Sequence, residues 1–386
     1  MNIQANDKIA ILYLSVGSGH QIAAETVGIA FGEFCSSDMV YVADPFQSVM
    51  PAALLGRLQR ISIRSLSRFY EWAWHNQAVG SWINRLASLW FMQQILLREL
   101  LKADAGIVVA THALPCAVAV HLKRSQKQVK KVYAVVTDFG LHRSWPWQCV
   151  DRYFVGSEEI RADLIRLGVN IEQISVTGIP IRAGFQALPQ SKVFSSGDVA
   201  LKVLVIMSGL RDHSYAVATD ILVEMLEKVR DLEPDQVRLT VVTGHNTRLF
   251  NQLSATAGEN VVVLGYVDNM QELMGAHDVL VTKPGGLLMA EALAMGMASI
   301  LVGVGPGQET ANRKFLTEQG VAFSAQTALD IIQLFEKIRR EPSILQGMKN
   351  RARRLGYPGA TIAIASQIHE DLLNSHQRLK AGLVPH

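Results

Sequence analysis

The chain has 386 residues, 49% of them hydrophobic and 18% charged, with a formal net charge of +3. That length predicts two domains of ~100–200 residues each, and that much apolar material excludes a disordered or low-complexity chain. The mild charge excess argues against a nucleic-acid partner. Three scattered cysteines, Cys35, Cys116 and Cys149, contain no Cys-x-x-Cys pair and exclude a disulfide framework and a structural zinc site.

The first residues, MNIQANDKIAILYL, lack the basic n-region, long apolar core and small-residue cleavage site of a secretory signal, so a cytoplasmic chain is expected. The short apolar runs Lys8–Leu14, Met39–Val42, Gly106–Ala110, Lys131–Val136 and Arg152–Val155 read as buried strands, most of them separated by helical stretches. The most apolar stretch, Ala105–Leu122, is interrupted by Thr111, His112, Pro115 and His121 and reads as a strand followed by a helix rather than a membrane span. Ala183–Ala200 is rich in Gly, Ser and Pro and is the expected boundary. Beyond it, Leu201–Met207, Val237–Thr243, Val261–Leu264, Val279–Val281 and Ser299–Val302 repeat the strand pattern, and Ala360–Lys380 reads as a long final helix.

Nearly all-apolar strands alternating with helices predict parallel sheets covered on both faces. The expected architecture is therefore α/β, with two doubly wound Rossmann-like domains: residues 1–183, residues 184–358, and a helix in 359–386 packing back on the first domain. Ligands of such sheets bind at the carboxyl ends of the strands, so a cleft with one ligand per domain is expected.

Two glycine-rich turns carry the chemistry. The first strand runs into Ser15-Val16-Gly17-Ser18-Gly19-His20 and then a helix from about Gln21. Backbone N–H groups and a helix N-terminus there suit a phosphate or a developing negative charge, and His20 adds a titratable group. No Lys-Ser/Thr pair follows, so this is not a Walker loop. The second turn, Lys283-Pro284-Gly285-Gly286, follows the strand Val279–Thr282 and opens a helix near Leu287. Glu291 lies one to two turns in, where a carboxylate accepts hydrogen bonds from a ribose diol. The next strand leads through Gly303–Gly307 to Gln308, Glu309 and Asn312, polar groups suited to sugar hydroxyls.

Val281–Asn312 resembles the nucleotide-sugar signature of glycosyltransferase family 28. With Leu14–Glu25, Val136–Trp147, Tyr153–Ile181 and Gly265–Met270, the likeness narrows to its diacylglycerol glycosyltransferases, the monogalactosyldiacylglycerol synthases and the bacterial glucosyldiacylglycerol synthases. It spans about residues 8–325. It implies the GT-B fold and an inverting transfer of hexose from a UDP-sugar to 1,2-diacylglycerol, with no cofactor and no required metal. The sequence indeed contains no Asp-x-Asp pair. Ser18 replaces the middle glycine of the plant-type motif, which tilts the donor towards UDP-glucose over UDP-galactose. Carried over by position, Glu291 binds ribose. Gly19, Ser208, Gly209, Gly285 and Gly286 lie at the phosphates, Tyr266 and Val267 border uracil, and Gln308, Glu309 and Asn312 hold the hexose. His245 is a weaker candidate.

Such a transfer needs a base in reach of the acceptor hydroxyl. His20 ranks first, Asp138 second, as base or as the group that orients His20, and His142 third. A lipid acceptor also requires a membrane surface. Residues 51–102 hold seven Lys/Arg against two Glu. At ~100° per residue, Arg57, Arg60, Arg64 and Arg68 form one stripe beside an apolar arc. Trp72, Trp74, Trp82 and Trp90 follow, and Trp145 and Trp147 come after His142. Basic, apolar and tryptophan side chains together suit an anionic membrane interface, so a peripheral association with the cytoplasmic face is expected. The competing readings are a transferase acting on an undecaprenyl-linked acceptor, a UDP-N-acetylglucosamine 2-epimerase, and a non-catalytic UDP-sugar sensor.

Overall fold

The computed structural model describes residues 8–15, 18–47, 85–125, 128–185, 200–207, 216–230, 232–233, 235–303 and 307–380. They form two compact units, one holding the described residues up to 182 together with 359–380, the other holding 183–358.

In the first unit, β1 (Lys8–Leu12), α1 (Ser18–Ala30), β2 (Val40–Ala43), α2 (Trp90–Ala103), β3 (Ala105–Ala110), α3 (Ala113–Arg124), β4 (Lys131–Val135), β5 (Arg152–Val155), α4 (Glu158–Arg166) and β6 (Ile174–Val176) follow in chain order. The six strands make one parallel sheet in the order β2-β1-β3-β4-β5-β6. β3 is buried along its whole length, as a central strand covered on both faces must be. One face packs Leu96 and Leu100 of α2, Val118 of α3 and Leu164 of α4, and the other packs Val27 of α1. The helix starts are written in the sequence: the Ser157 side chain accepts from Ile160 N, and the His112 ring accepts from Leu114 N.

The C-terminal helix, Ala360–Lys380, completes that second face with Ile364, Ala365, Ile368 and Leu372. Each fully buried aliphatic side chain contributes about 1.5–3 kcal/mol. Polar contacts fix its position. Thr361 Oγ1 donates to Ile181 O at 2.7 Å and accepts from Ile181 N at 3.0 Å, and Arg152 grips Asp371 with two bonds of 2.8 and 3.0 Å.

The second unit runs β7 (Leu201–Ile206), α5 (Ala216–Arg230), β8 (Val237–Val242), α6 (Thr247–Ser254), β9 (Val261–Leu264), α7 (Met270–Ala276), β10 (Val279–Thr282), α8 (Gly286–Ala294), β11 (Ala298–Val302), α9 (Gln308–Glu318), β12 (Ala322–Ala325), α10 (Ala328–Arg340) and α11 (Pro342–Leu355). Its parallel sheet has the order β12-β11-β10-β7-β8-β9. α10 opens with a reciprocal Thr327/Asp330 capping box, and α11 has proline at its first position.

Both sheets are doubly wound. The strand order reverses between β1 and β3 in one and between β7 and β10 in the other, and these are the points where ligands of open parallel sheets bind. Ser15 and, early in α1, His20 lie at the first switch point, and the Lys283–Gly286 turn leaves the second. Two strands escape the periodicity reading, β6 and β12. Each is short and lies at a sheet edge with partly exposed residues, so neither shows an all-apolar run. The helices after the two turns start at Ser18 and Gly286, each slightly before the expected residue.

Candidate active-site residues

In the first unit, His20 is the third residue of α1, and its partly buried ring meets the carboxyl ends of β3 and β4. Nδ1 lies 2.9 Å from Thr111 O and 3.0 Å from Thr137 Oγ1. A carbonyl oxygen only accepts, so the hydrogen-bond network assigns the proton to Nδ1 and leaves Nε2 as the basic nitrogen. Thr111 closes the pair by donating Oγ1 to His20 O at 2.9 Å. Burial lowers the His20 pKa, while the Asp138 carboxylate and the Thr111 carbonyl oppose the shift. The ring is therefore neutral at pH 7, with a carboxylate close enough to stabilise the cation formed on proton uptake.

Two more histidines surround it. The His112 ring stands edge-on to His20, 4.8 Å between centroids. Its Nδ1 accepts from Leu114 N at 3.1 Å, and burial, then the charges of His20 and His142, hold its pKa well below the usual value. His142 Nδ1 accepts from Ser144 N at 3.2 Å, and burial lowers its pKa to about 4. Nδ1 of His142 is thus committed to shaping its own loop. Sequence reasoning misses His112 as a site residue. In the sequence it only interrupts an apolar run, and its proximity to His20 depends on β1 and β3 being neighbours. Asp44 escapes it as well. Its carboxylate accepts from Ser15 N at 2.8 Å and Phe46 N at 2.9 Å, tying the turn after β1 to the end of β2.

In the second unit, the ends of β7, β8, β9 and β10 are knitted together. Met207 N donates to Val242 O, Thr243 N to Leu264 O, Gly244 N to Gly265 O, and Thr282 Oγ1 to Ile206 O. At β10 the chain turns through Lys283-Pro284-Gly285 into α8. Gly285 caps that helix at φ −76° and ψ 133°, and a Cβ built on it meets nothing within 4 Å among the described residues. The first N–H groups of α8, which attract anions, begin at this glycine. Lys283 Nζ pairs with Glu309 Oε1 at 2.8 Å, placing a cation beside the same turn. Glu291, on the second turn of α8, is buried at 1% exposure. Beyond the end of β9, the exposed Tyr266 ring stacks on His245, 4.3 Å apart and 12° from parallel, with Val267 next in the chain. This pair forms an aromatic platform at the carboxyl ends of β8 and β9.

The expected sugar contacts at α9 divide. Gln308 is the first residue of the helix and is partly exposed, whereas Glu309 is committed to Lys283. Asn312 has no accessible surface, and its Nδ2 donates to Pro284 O at 3.0 Å. That bond braces the turn between β10 and α8. Trp145, expected at the membrane or acceptor side, is 6% exposed and packs in the apolar core of the first unit rather than on its surface. Gly19 lies in the first turn of α1, beside His20. Ser208 and Gly209, and the stripe of Arg57, Arg60, Arg64, Arg68, Trp72, Trp74 and Trp82, lie outside the described residues. At the start of α2, Leu89, Trp90 and Phe91 are exposed together, Trp90 by 72%.

Comparison with known proteins agrees with this division. Residues 20–181 match the family described as Monogalactosyldiacylglycerol (MGDG) synthase, and residues 202–338 match the family described as Glycosyl transferases group 1. The processive diacylglycerol beta-glucosyltransferase of Bacillus subtilis is 29% identical over 394 residues, covering 98% of this chain and 99% of that protein. Among solved structures, MurG of Acinetobacter baumannii superposes with a TM-score of 0.61 at 16% identity, over 94% of this chain and 99% of its own. Os79 of O. sativa, in complex with UDP, reaches 0.62 at 10% identity, over 94% and 100%. These likenesses show the GT-B fold. The two family matches and the near full-length similarity to a diacylglycerol glucosyltransferase make the chain similar to the diacylglycerol glycosyltransferases of glycosyltransferase family 28.

Proposed function

We propose that this chain is an inverting hexosyltransferase that moves glucose, or less readily galactose, from a UDP-sugar to 1,2-diacylglycerol, making a membrane glycolipid. The observation that carries the mechanism is the tautomer of His20. Its Nδ1–H is held by Thr111 O, leaving Nε2 basic at the carboxyl end of the sheet. A primary alcohol is a very weak acid, so its proton must leave as the hexose is attacked. In this reading the acceptor oxygen bonds to the anomeric carbon from the face opposite UDP, and the bond from that carbon to the diphosphate oxygen breaks. UDP leaves with the electron pair, and the proton passes to His20 Nε2. Asp138 stabilises the imidazolium. His112, lying edge-on to the ring, holds it in place.

The second unit takes the nucleotide. The diphosphate lies in the space beside Gly285, at the start of α8. The N–H groups and the dipole of α8 offset the negative charge that grows on UDP, so the reading requires no metal. The Tyr266 platform borders uracil, Glu291 takes the ribose hydroxyls once the groups covering it move aside, and Gln308 faces the hexose. Membrane contact is peripheral, at the cytoplasmic face. Among the described residues no helix is long and apolar enough to cross a bilayer, while Leu89, Trp90 and Phe91 present an exposed apolar edge. The sequence-adjacent arginines add attraction to anionic lipid of ~1 kcal/mol each.

The test is incubation of the full chain with radiolabelled UDP-glucose or UDP-galactose and diacylglycerol-containing vesicles. Labelled glycolipid, formed faster from UDP-glucose, is expected. No lipid product with either donor, in a chain that still binds UDP, would favour the sensor reading.

A further inference from the structure

We propose that the second unit carries a second ligand site, on the outer surface of α9 and α11, that binds a phosphate group carried by an organic molecule. A groove of about 730 Å³ lies there at the free edge of the sheet, beside β12. Arg313, Lys314 and Arg351 line it, and among the described residues no carboxylate does. Lys314 pairs with Glu318 at 3.9 Å on an exposed surface. Such a contact contributes little and yields to a stronger anion.

Arg351 is preorganised for that anion. Its Nε donates to Gly320 O at 2.8 Å. Gly320 has φ +64°, and a Cβ there would fall 2.9 Å from the same nitrogen, so glycine is what lets the guanidinium lie against the backbone. The two Nη groups keep their donors for a bidentate acceptor, and little side-chain entropy is left to lose. With Lys314 shared with Glu318, the two guanidinium groups leave a charge of about +2, more than one carboxylate needs and close to that of a phosphate monoester. Phe323, Ile344 and Met348 add apolar lining, so the matching ligand has an uncharged organic portion beside its phosphate.

This groove is separate from the nucleotide site. At 100° per residue, Arg313 and Lys314 share one arc of α9 with Thr310 and Thr317, whereas Glu309, Asn312, Phe315 and Leu316 form the buried arc. Two sources carry the required chemistry: the headgroup of an anionic phospholipid, or a free organic phosphate.

The experiment is a calorimetric titration of the full chain with two soluble probes, dihexanoyl phosphatidylglycerol below its micellar concentration and glycerol 1-phosphate, each with and without saturating UDP. Binding that persists with UDP present is expected. Preference for the acylated probe assigns the lipid source, and equal binding of both assigns the free phosphate. The triple variant Arg313→Gln, Lys314→Gln, Arg351→Gln should bind about tenfold more weakly or worse, with UDP affinity retained. Should that variant fail to fold, Arg351→Lys alone decides, because it keeps the charge but loses the fork and should weaken binding several-fold. Displacement of the probes by UDP, no binding at millimolar concentration, or variants that bind like the parent would overturn the site.

Discussion

Replacing Gly285 by alanine separates a ligand-facing glycine from a structural one. The residue sits at φ −76°, ordinary for any L-amino acid, and the added methyl group meets no atom of the described residues within 4 Å. Folding should therefore barely respond. Losing glycine at an N-cap costs up to about 1 kcal/mol, and restricting the unfolded chain returns about 0.4–1 kcal/mol. The net is within about 0.5 kcal/mol, or roughly 2 °C in melting temperature for a unit of this size. In the proposed donor site the same methyl group stands where the diphosphate approaches the α8 N–H groups. By pushing the phosphate away from those donors it should weaken UDP binding by about 10- to 100-fold, equivalent to about 1.4–2.8 kcal/mol. Calorimetric titration with UDP and thermal unfolding of the same preparation measure both quantities. Unchanged UDP affinity in a normally stable Gly285→Ala protein would refute the assignment of this turn to the diphosphate. Gly303 is the contrasting control: at φ +63° its Cβ would lie 2.4 Å from Ala218 Cβ, so Gly303→Ala should lower stability by about 1–3 kcal/mol in urea unfolding.

The other predictions concern the first unit. His20→Gln should lower kcat by about 10²–10⁴-fold while UDP affinity stays the same; turnover within a few-fold of the parent would remove His20 as base. The pH dependence of stability follows from the buried histidines. Unfolded histidine takes up its proton near 6.5, whereas His142 in the folded protein waits until about 4. Stability is therefore complete above pH 6.5 and falls as pH drops towards 4, by about 3 kcal/mol for His142 alone. His142→Asn should flatten the unfolding free energy between pH 6.5 and 4.5, and an unaltered slope would contradict the assignment. Trp90→Ala with Phe91→Ala should reduce co-sedimentation with diacylglycerol-containing vesicles several-fold and leave UDP binding intact, whereas unchanged sedimentation would take the start of α2 off the membrane surface.

Much of this architecture is legible in the sequence because buried parallel strands are apolar on both faces. β3, with six buried residues in six, is the plainest case. β6 and β12 are hidden for the converse reason: edge strands are half exposed and need no continuous apolar run. The Lys283–Gly286 turn is readable because glycines between a buried strand and a helix have few other uses. His112 and Asp44 are not, since each gains its meaning from a strand neighbour distant in sequence. Asn312 and Trp145 show what residue type leaves out. Packing turns both inward, the amide onto Pro284 O and the indole into the core. Pattern reports which residues are polar or aromatic; tertiary neighbours decide which way they point.

A crystal structure of the full chain with UDP decides whether the nucleotide sits at the turn between β10 and α8. Diphosphate density is expected against the backbone N–H groups of Gly285 and Gly286, with the ribose hydroxyls on Glu291. Nucleotide density away from that turn, with the Gly285 space left empty, would contradict this placement.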